Sequence, residues 1–131
     1  MRLSGLAYLG YPGLALVSAL KGNPADAERR LAEADQRGSG KTGTSTLARA
    51  VVAARAGRWA ETRELLRRYE VTLLGGPTGA LADTLAAWAV EKTSGERRHV
   101  DPVALFGEGS SASLQEYWPE LVAFVEQAPK A

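Results

Sequence analysis

Apolar residues recur at intervals of three and four along most of this chain, the spacing of one helix face. No segment alternates apolar and polar residues over the length of a strand. The first stretch, Pro12 to Lys21, is apolar nearly throughout, with a proline suited to a helix's first turn. Asn23-Pro24-Ala25-Asp26 is a helix start, with Asn as the cap, Pro at the first position and an acidic side chain at the third, near the positive end of the dipole. This second helix is expected to run to about Arg37 and stop at Gly38, before a polar loop over Ser39 to Thr44. A third helix, Ser45 to Ala56, carries Leu47, Ala48, Ala50, Val51, Val52, Ala53 and Ala54, apolar on almost every side, which marks a central, buried helix. The fourth, Arg58 to Tyr69, is two-faced: Trp59, Leu65, Leu66 and Tyr69 inward, Arg63, Glu64, Arg67 and Arg68 outward.

The remainder is less regular. Val71-Thr72-Leu73-Leu74 reads as packed coil or helix extension, since a lone strand has nothing to pair with, and Gly75-Gly76-Pro77-Thr78-Gly79 reads as a breaker. A fifth helix, Ala80 to Thr93, puts Leu81, Leu85, Trp88 and Ala89 on one stripe and ends at Gly95. Asp101-Pro102 opens a short helical turn through Phe106, followed by a loop over Gly107 to Ser111. Ser113-Leu114-Gln115-Glu116 has the form of a reciprocal capping box. Pro119 falls too late for that helix's first turn, so a short turn is expected, with the final helix restarting near Pro119 and running to about Ala128. The expected fold class is all-α, with five or six main helices in a single domain over residues 1–131.

Two segments repeat each other. Ala19 to Leu31 aligns with Ala54 to Leu66, and Gly22 and Gly57 stand 35 positions apart, close to the roughly 34-residue period of one helical-hairpin repeat. Each Gly sits where one helical pattern stops and the next begins, a place for a residue that takes positive φ without a Cβ clash.

These segments resemble tetratricopeptide repeats, in which a Gly ends the first helix of a hairpin and an aromatic residue two positions on starts the second. Trp59 fits the aromatic place and Pro24 does not. Ala27 fits the small residue five after the Gly, with Thr62 a mild departure. Leu31 and Leu66 fit the large apolar position nine after it, and Ala15 and Ala50 the small one seven before it. The resemblance covers residues 11–69 and implies two antiparallel helical hairpins, with residues 70–131 as an irregular helical cap. It also implies peptide or protein binding in a groove lined by the first helices. By register those lining positions are Leu9, Pro12, Leu16, Ala19, Leu20, Thr44, Leu47, Val51, Ala54 and Arg55, a set too apolar to clamp a carboxylate.

An apolar groove needs a cover. Trp118, Leu121, Val122 and Val125 recur at i, i+3, i+4 and i+7 and offer one. The favoured reading folds this helix back as core; the alternatives are a homodimer in which it packs on a neighbour, or a partner's helix taking its place.

Composition narrows the chemistry. The chain has 131 residues and no cysteine, which excludes disulfides, thiol nucleophiles and thiolate metal sites. A single histidine, His99, makes no multi-histidine metal site. Sixteen Lys and Arg against fifteen Asp and Glu leave a formal charge of +1, which argues against a nucleic-acid binder. The usage of Arg, Ala and Gly suggests a bacterial source. The N-terminal apolar run loosely imitates a secretory signal, but its positive end is a lone Arg and Gly10-Tyr11-Pro12-Gly13 interrupts it. It is also too short and broken to span a bilayer. A cytoplasmic protein without membrane contact is expected.

Gly38-Ser39-Gly40-Lys41-Thr42 imitates the end of a phosphate-binding loop, but Asp35 stands where the full pattern needs Gly, and a charged helix precedes it instead of a buried strand. A flexible linker is the expected reading. Arg97-Arg98-His99 with Asp101 is a compact charged loop able to grip an acidic partner, or a solvated turn. His99 lacks an evident nucleophile to serve as a base. Arg63, Arg67 and Arg68 interleave with Glu61, Glu64 and Glu70 and read as a solvated, ion-paired face. Trp59, Trp88 and Trp118 read as core anchors. The expected function is a non-enzymatic protein–protein interaction or adaptor module with no cofactor and no metal. The partner-binding candidates are Arg55, Arg97, Arg98, His99, Trp118, Leu121 and Val125. A bacterial inhibitor or immunity-type protein, and a small-ligand or enzymatic domain with a pocket near residues 97–106, stand as alternatives.

Overall fold

Along the described residues, 11–38, 43–70, 76–96 and 115–127 of the computed structural model, every regular element is helical and none is a strand. The helices are α1 (Tyr11–Leu20), α2 (Pro24–Gln36), α3 (Gly43–Arg55), α4 (Trp59–Glu70), α5 (Gly76–Ser94) and α6 (Pro119–Gln127). A single helical turn at residues 115–117 precedes α6, and Trp118 separates the two, the break and restart that Pro119 predicts. The chain is all-α.

The turns at Gly22 and Gly57 are copies of one another. Each Gly has φ of 78°. Gly22 N–H donates to the Ala19 carbonyl and Gly57 N–H to that of Ala54, both at 3.1 Å. Asn23 N–H donates to Ser18 and Arg58 N–H to Ala53, both at 2.9 Å. This paired bonding, from the glycine to the residue three back and from its successor to the residue five back, is the Schellman closure, which satisfies carbonyls that a helix end leaves orphaned. The start of the next helix also repeats: Ala27 N–H bonds the Asn23 carbonyl and Thr62 N–H that of Arg58, each at 3.0 Å. At α2 the Asn23 side chain accepts from Asp26 N–H at 3.2 Å, with Pro24 in the first turn.

Equivalent positions in the two segments are buried alike. Ala15 and Ala50, Ala27 and Thr62, and Leu31 and Leu66 all lie in the interior. Thr62 is accommodated because its hydroxyl donates to the Arg58 carbonyl at 3.0 Å, so no polar group is stranded.

Helix α3 is the centre. It packs on α1, α2, α4 and α5, and its Leu47, Ala48, Ala50, Val51, Val52, Ala53 and Ala54 are all buried, as its apolar circumference predicts. Helix α5 starts four residues earlier than expected, taking in Gly76 to Gly79. A proline second in the helix removes an N–H that has no intrahelical partner there, so a segment that reads as a breaker serves as a first turn. Trp88 on α5 gathers the aromatic residues: its ring lies 4.9 Å from Trp59, 5.6 Å from Trp118 and 5.1 Å from Phe124, joining α4, α5 and the C-terminal segment in one cluster.

Candidate functional site

Register from the glycines predicts a groove along α1 and α3, but the described side chains expected to line it are buried. Leu16, Ala19, Leu20, Thr44, Leu47, Val51 and Ala54 are all buried, and Trp118, Leu121 and Val125 of the C-terminal segment share their core cluster. These three side chains are at most 3% exposed, so in this fold they are interior and face no outside partner. The ring contacts of this segment are to Trp88 on α5, from Trp118 and Phe124, and the Trp118 ring also carries the Arg55 guanidinium.

An open concavity lies among α2, α3 and α4. One pocket of about 310 Å³ is walled by α2, α3 and α4, with Leu31, Val52 and Leu65 as apolar floor and Asp35, Arg49 and Glu61 among its charged walls. A second, of about 330 Å³, lies beside it between the turns at Gly22 and Gly57, bounded by Gly22 and Pro24 on one side and Ala56 and Arg58 on the other. Glu28, Val52 and Arg58 line both, so the two form one groove.

Its charges are largely paired. Arg49 Nη2 reaches both carboxylate oxygens of Asp35 at 3.2 and 3.3 Å, tying α3 to α2, and Arg58 Nε lies 3.3 Å from Glu61. Arg55 is different. It occupies in the second unit the place of buried Leu20 in the first, 35 positions earlier, and its guanidinium reaches across to the α1–α2 turn. Its Cζ sits 4.8 Å from the Trp118 ring centroid, a cation–π contact. Nη1 is shut off from water and, among the described residues, has no hydrogen-bond acceptor. Desolvation holds the Arg55 pKa below the ordinary guanidinium value, with the charge of Glu120 pulling the other way. Lys21 repeats the cation–π theme nearby, 5.4 Å from the Tyr117 ring.

A second charged knot lies at the start of α2. Asp26 accepts from the Ser18 hydroxyl, from Arg29 and from Arg30 Nε, the last at 2.9 Å. Those bonds, with Ser18 foremost, hold its carboxyl well below the usual carboxylate range. The knot joins α1 to α2 and is structural.

Of the partner-binding candidates that lie among the described residues, Arg55 alone lines the groove. Arg97, Arg98 and His99, with the Asp101 to Phe106 turn, lie outside the described residues, as do Leu9, Ser39 to Thr42, Val71 to Leu74 and Ser113. The pocket expected near residues 97–106 therefore also falls outside them. On α4, Arg67 pairs with Glu64 at 3.6 Å, as the pattern predicts, whereas Arg63 donates instead to the Thr93 hydroxyl on α5 at 2.9 Å; the side chains of Arg68 and Glu70 lie outside the described ones. Glu28, Asp35 and Arg49 join Arg55 only through tertiary packing. Glu28 and Asp35, seven apart, share one face of α2, whereas nothing in the sequence sets that face against Arg49 and Arg55 on α3.

Among the described residues no three His, Asp or Glu side chains gather where one metal ion could sit. No described helix is long and apolar enough to cross a membrane. Compared with protein-family models, with curated proteins and with solved structures, the chain matches none of them.

Proposed function

We propose that this chain is a non-enzymatic protein–protein interaction module of the helical-repeat type, built from two tetratricopeptide-like hairpins closed by a C-terminal helical cap. The observation that carries the reading is the groove among α2, α3 and α4: an apolar floor of Leu31, Val52 and Leu65 between charged walls. A floor and rim of that composition suits a peptide or helix, with burial at the centre and charge recognition at the edge. The turn bonding repeated at an interval of 35 residues supports the kinship with hairpin repeats.

Site-specific photo-cross-linking in cells of the source organism tests it. Cross-linkers at exposed Ala32 and Glu61, on the groove, are expected to capture a common partner, whereas one at exposed Asp83 on α5 is not. Capture that is indifferent to position, or absent at both groove positions, overturns the reading.

A further inference from the structure

Among the described residues, every cation that lines the groove is already engaged. Arg49 Nη2 holds Asp35, Arg58 Nε faces Glu61, and the Arg55 guanidinium lies against the Trp118 ring with Nη1 shut off from water. Glu28 is left over. It lines both pockets, stands exposed on α2 and has no ion pair among the described residues. Apolar surface flanks it, with Ala32 and half-buried Leu65 in one pocket and Pro24 and Ala56 in the other. We propose that the groove docks a basic, apolar-faced segment of a protein partner, its Lys or Arg meeting the Glu28 carboxylate and its aliphatic side chains resting on Leu31, Val52 and Leu65.

The sign of the partner's charge follows from what is already paired. An anion entering the groove meets Glu28 and must draw Arg49 or Arg58 away from a carboxylate. A cation meets Glu28 and breaks no existing pair. Lys and Arg also suit the surroundings, since their methylene stems lie along apolar surface while the charged head stays in water. The bridges Arg49–Asp35 and Arg58–Glu61 stand on the walls as neutral pairs, so Glu28 carries the charge recognition. The repeat supplies a contrast. The position equivalent to Glu28, 35 residues on, is Arg63, which reaches the next helix and donates to the Thr93 hydroxyl at 2.9 Å. That position is spent inside the fold in the second unit and open in the first.

The partner's charge is inferred on top of the interaction-module reading, and selection from a random peptide library displayed on phage and panned on the full chain tests it. Peptides enriched on the wild-type chain are expected to carry Lys or Arg beside aliphatic residues, and panning on Glu28→Lys is expected to lose them. Synthesised as acetylated, amidated peptides and followed by isothermal titration, the enriched sequences are expected to bind roughly two- to fivefold more weakly to Glu28→Gln. Glu28→Lys, which reverses the charge, is expected to weaken them by about tenfold, and added salt to weaken binding to the wild-type chain. Asp83→Lys makes the same change of net charge at an exposed position of α5 outside the groove and is expected to leave affinity unchanged. Circular dichroism reports whether Glu28→Lys folds; if it does not, Glu28→Gln decides alone. Enrichment of acidic or uncharged peptides, no enrichment at all, the same peptides enriched on a folded Glu28→Lys, unchanged affinity for Glu28→Gln, or equal losses with Glu28→Lys and Asp83→Lys overturns the proposal. A partner cross-linked at Ala32 or Glu61 whose affinity ignores the Glu28 substitutions overturns it too, while leaving the interaction module standing.

Discussion

The Arg55 guanidinium occupies the space that a side chain at Gly22 would need: a Cβ built there falls 2.6 Å from Arg55 Nη2. At Gly57, the equivalent turn of the second unit, nothing lies within 4 Å. The two glycines share one backbone conformation and bonding pattern yet differ in what surrounds them.

Alanine substitution separates these roles. Gly57→Ala is expected to cost about 1–2 kcal/mol, the strain of a non-glycine residue at positive φ. Gly22→Ala carries the same strain and also pushes Arg55 off the Trp118 ring, so it alone should change tryptophan fluorescence in the folded state. In an Arg55→Ala background that extra spectral effect should vanish. Identical fluorescence changes for the two single variants would show that Arg55 moves aside freely.

The bonds around Asp26 give a pH signature. Its carboxyl is held below the usual range in the fold by Ser18, Arg29 and Arg30, whereas in the unfolded chain it titrates near its ordinary value, about 4. Its contribution to stability is therefore fully present above that pH and is lost as pH falls toward the lowered folded value. Asp26→Asn is expected to flatten the acid limb of the stability profile below about pH 5, the gap between wild type and variant narrowing steadily as pH falls toward the lowered folded value. Ser18→Ala should move the Asp26 carboxyl titration upward by NMR, since the Ser18 hydroxyl is the strongest of its three partners. An unmoved titration would remove Ser18 from the knot.

Much of this fold is written in short-range chemistry. Asn23, Pro24 and Asp26 act within one helical turn, and Gly22 and Gly57 act through bonds to residues three and five back, so their sequence neighbours declare them. Gly76 to Gly79 mislead because the same residues suit a break and a first turn, and the helix that follows decides between the two. The groove is illegible for a different reason. Asp35 meets Arg49 across two helices, and Arg55 meets Trp118 across sixty-odd residues, encounters fixed by how α3 sits rather than by any spacing.

Trp88 is expected to be the most costly single truncation. Its ring touches Trp59, Trp118 and Phe124, and Trp88→Ala should destabilise by roughly 3–5 kcal/mol with loss of the near-ultraviolet dichroism of the cluster. A loss below about 1 kcal/mol would mean the rings repack around the gap.

The C-terminal helix is expected to be indispensable. Leu121 is fully buried, and Leu121→Ala should cost about 2–5 kcal/mol, a large share of a small domain's stability. Truncation after Ser113 removes Trp118, Leu121, Val122, Phe124 and Val125 together and should yield an aggregated or molten product, seen as dye binding with retained far-ultraviolet helicity. A truncated chain that stays monomeric and cooperatively folded would show that this helix is dispensable to the core.

Because the turns at Gly22 and Gly57 close through bonds spanning only three to five residues, the entropy lost in forming each is small and needs no help from distant parts of the chain. The aromatic cluster is the reverse case: Trp59, Trp88 and Trp118 are about thirty residues apart from one to the next, so their meeting closes long loops. The expected order of assembly follows. The two turns form first, each on its own account, and the rings meet last, so tryptophan fluorescence in stopped-flow refolding should lag behind far-ultraviolet helicity.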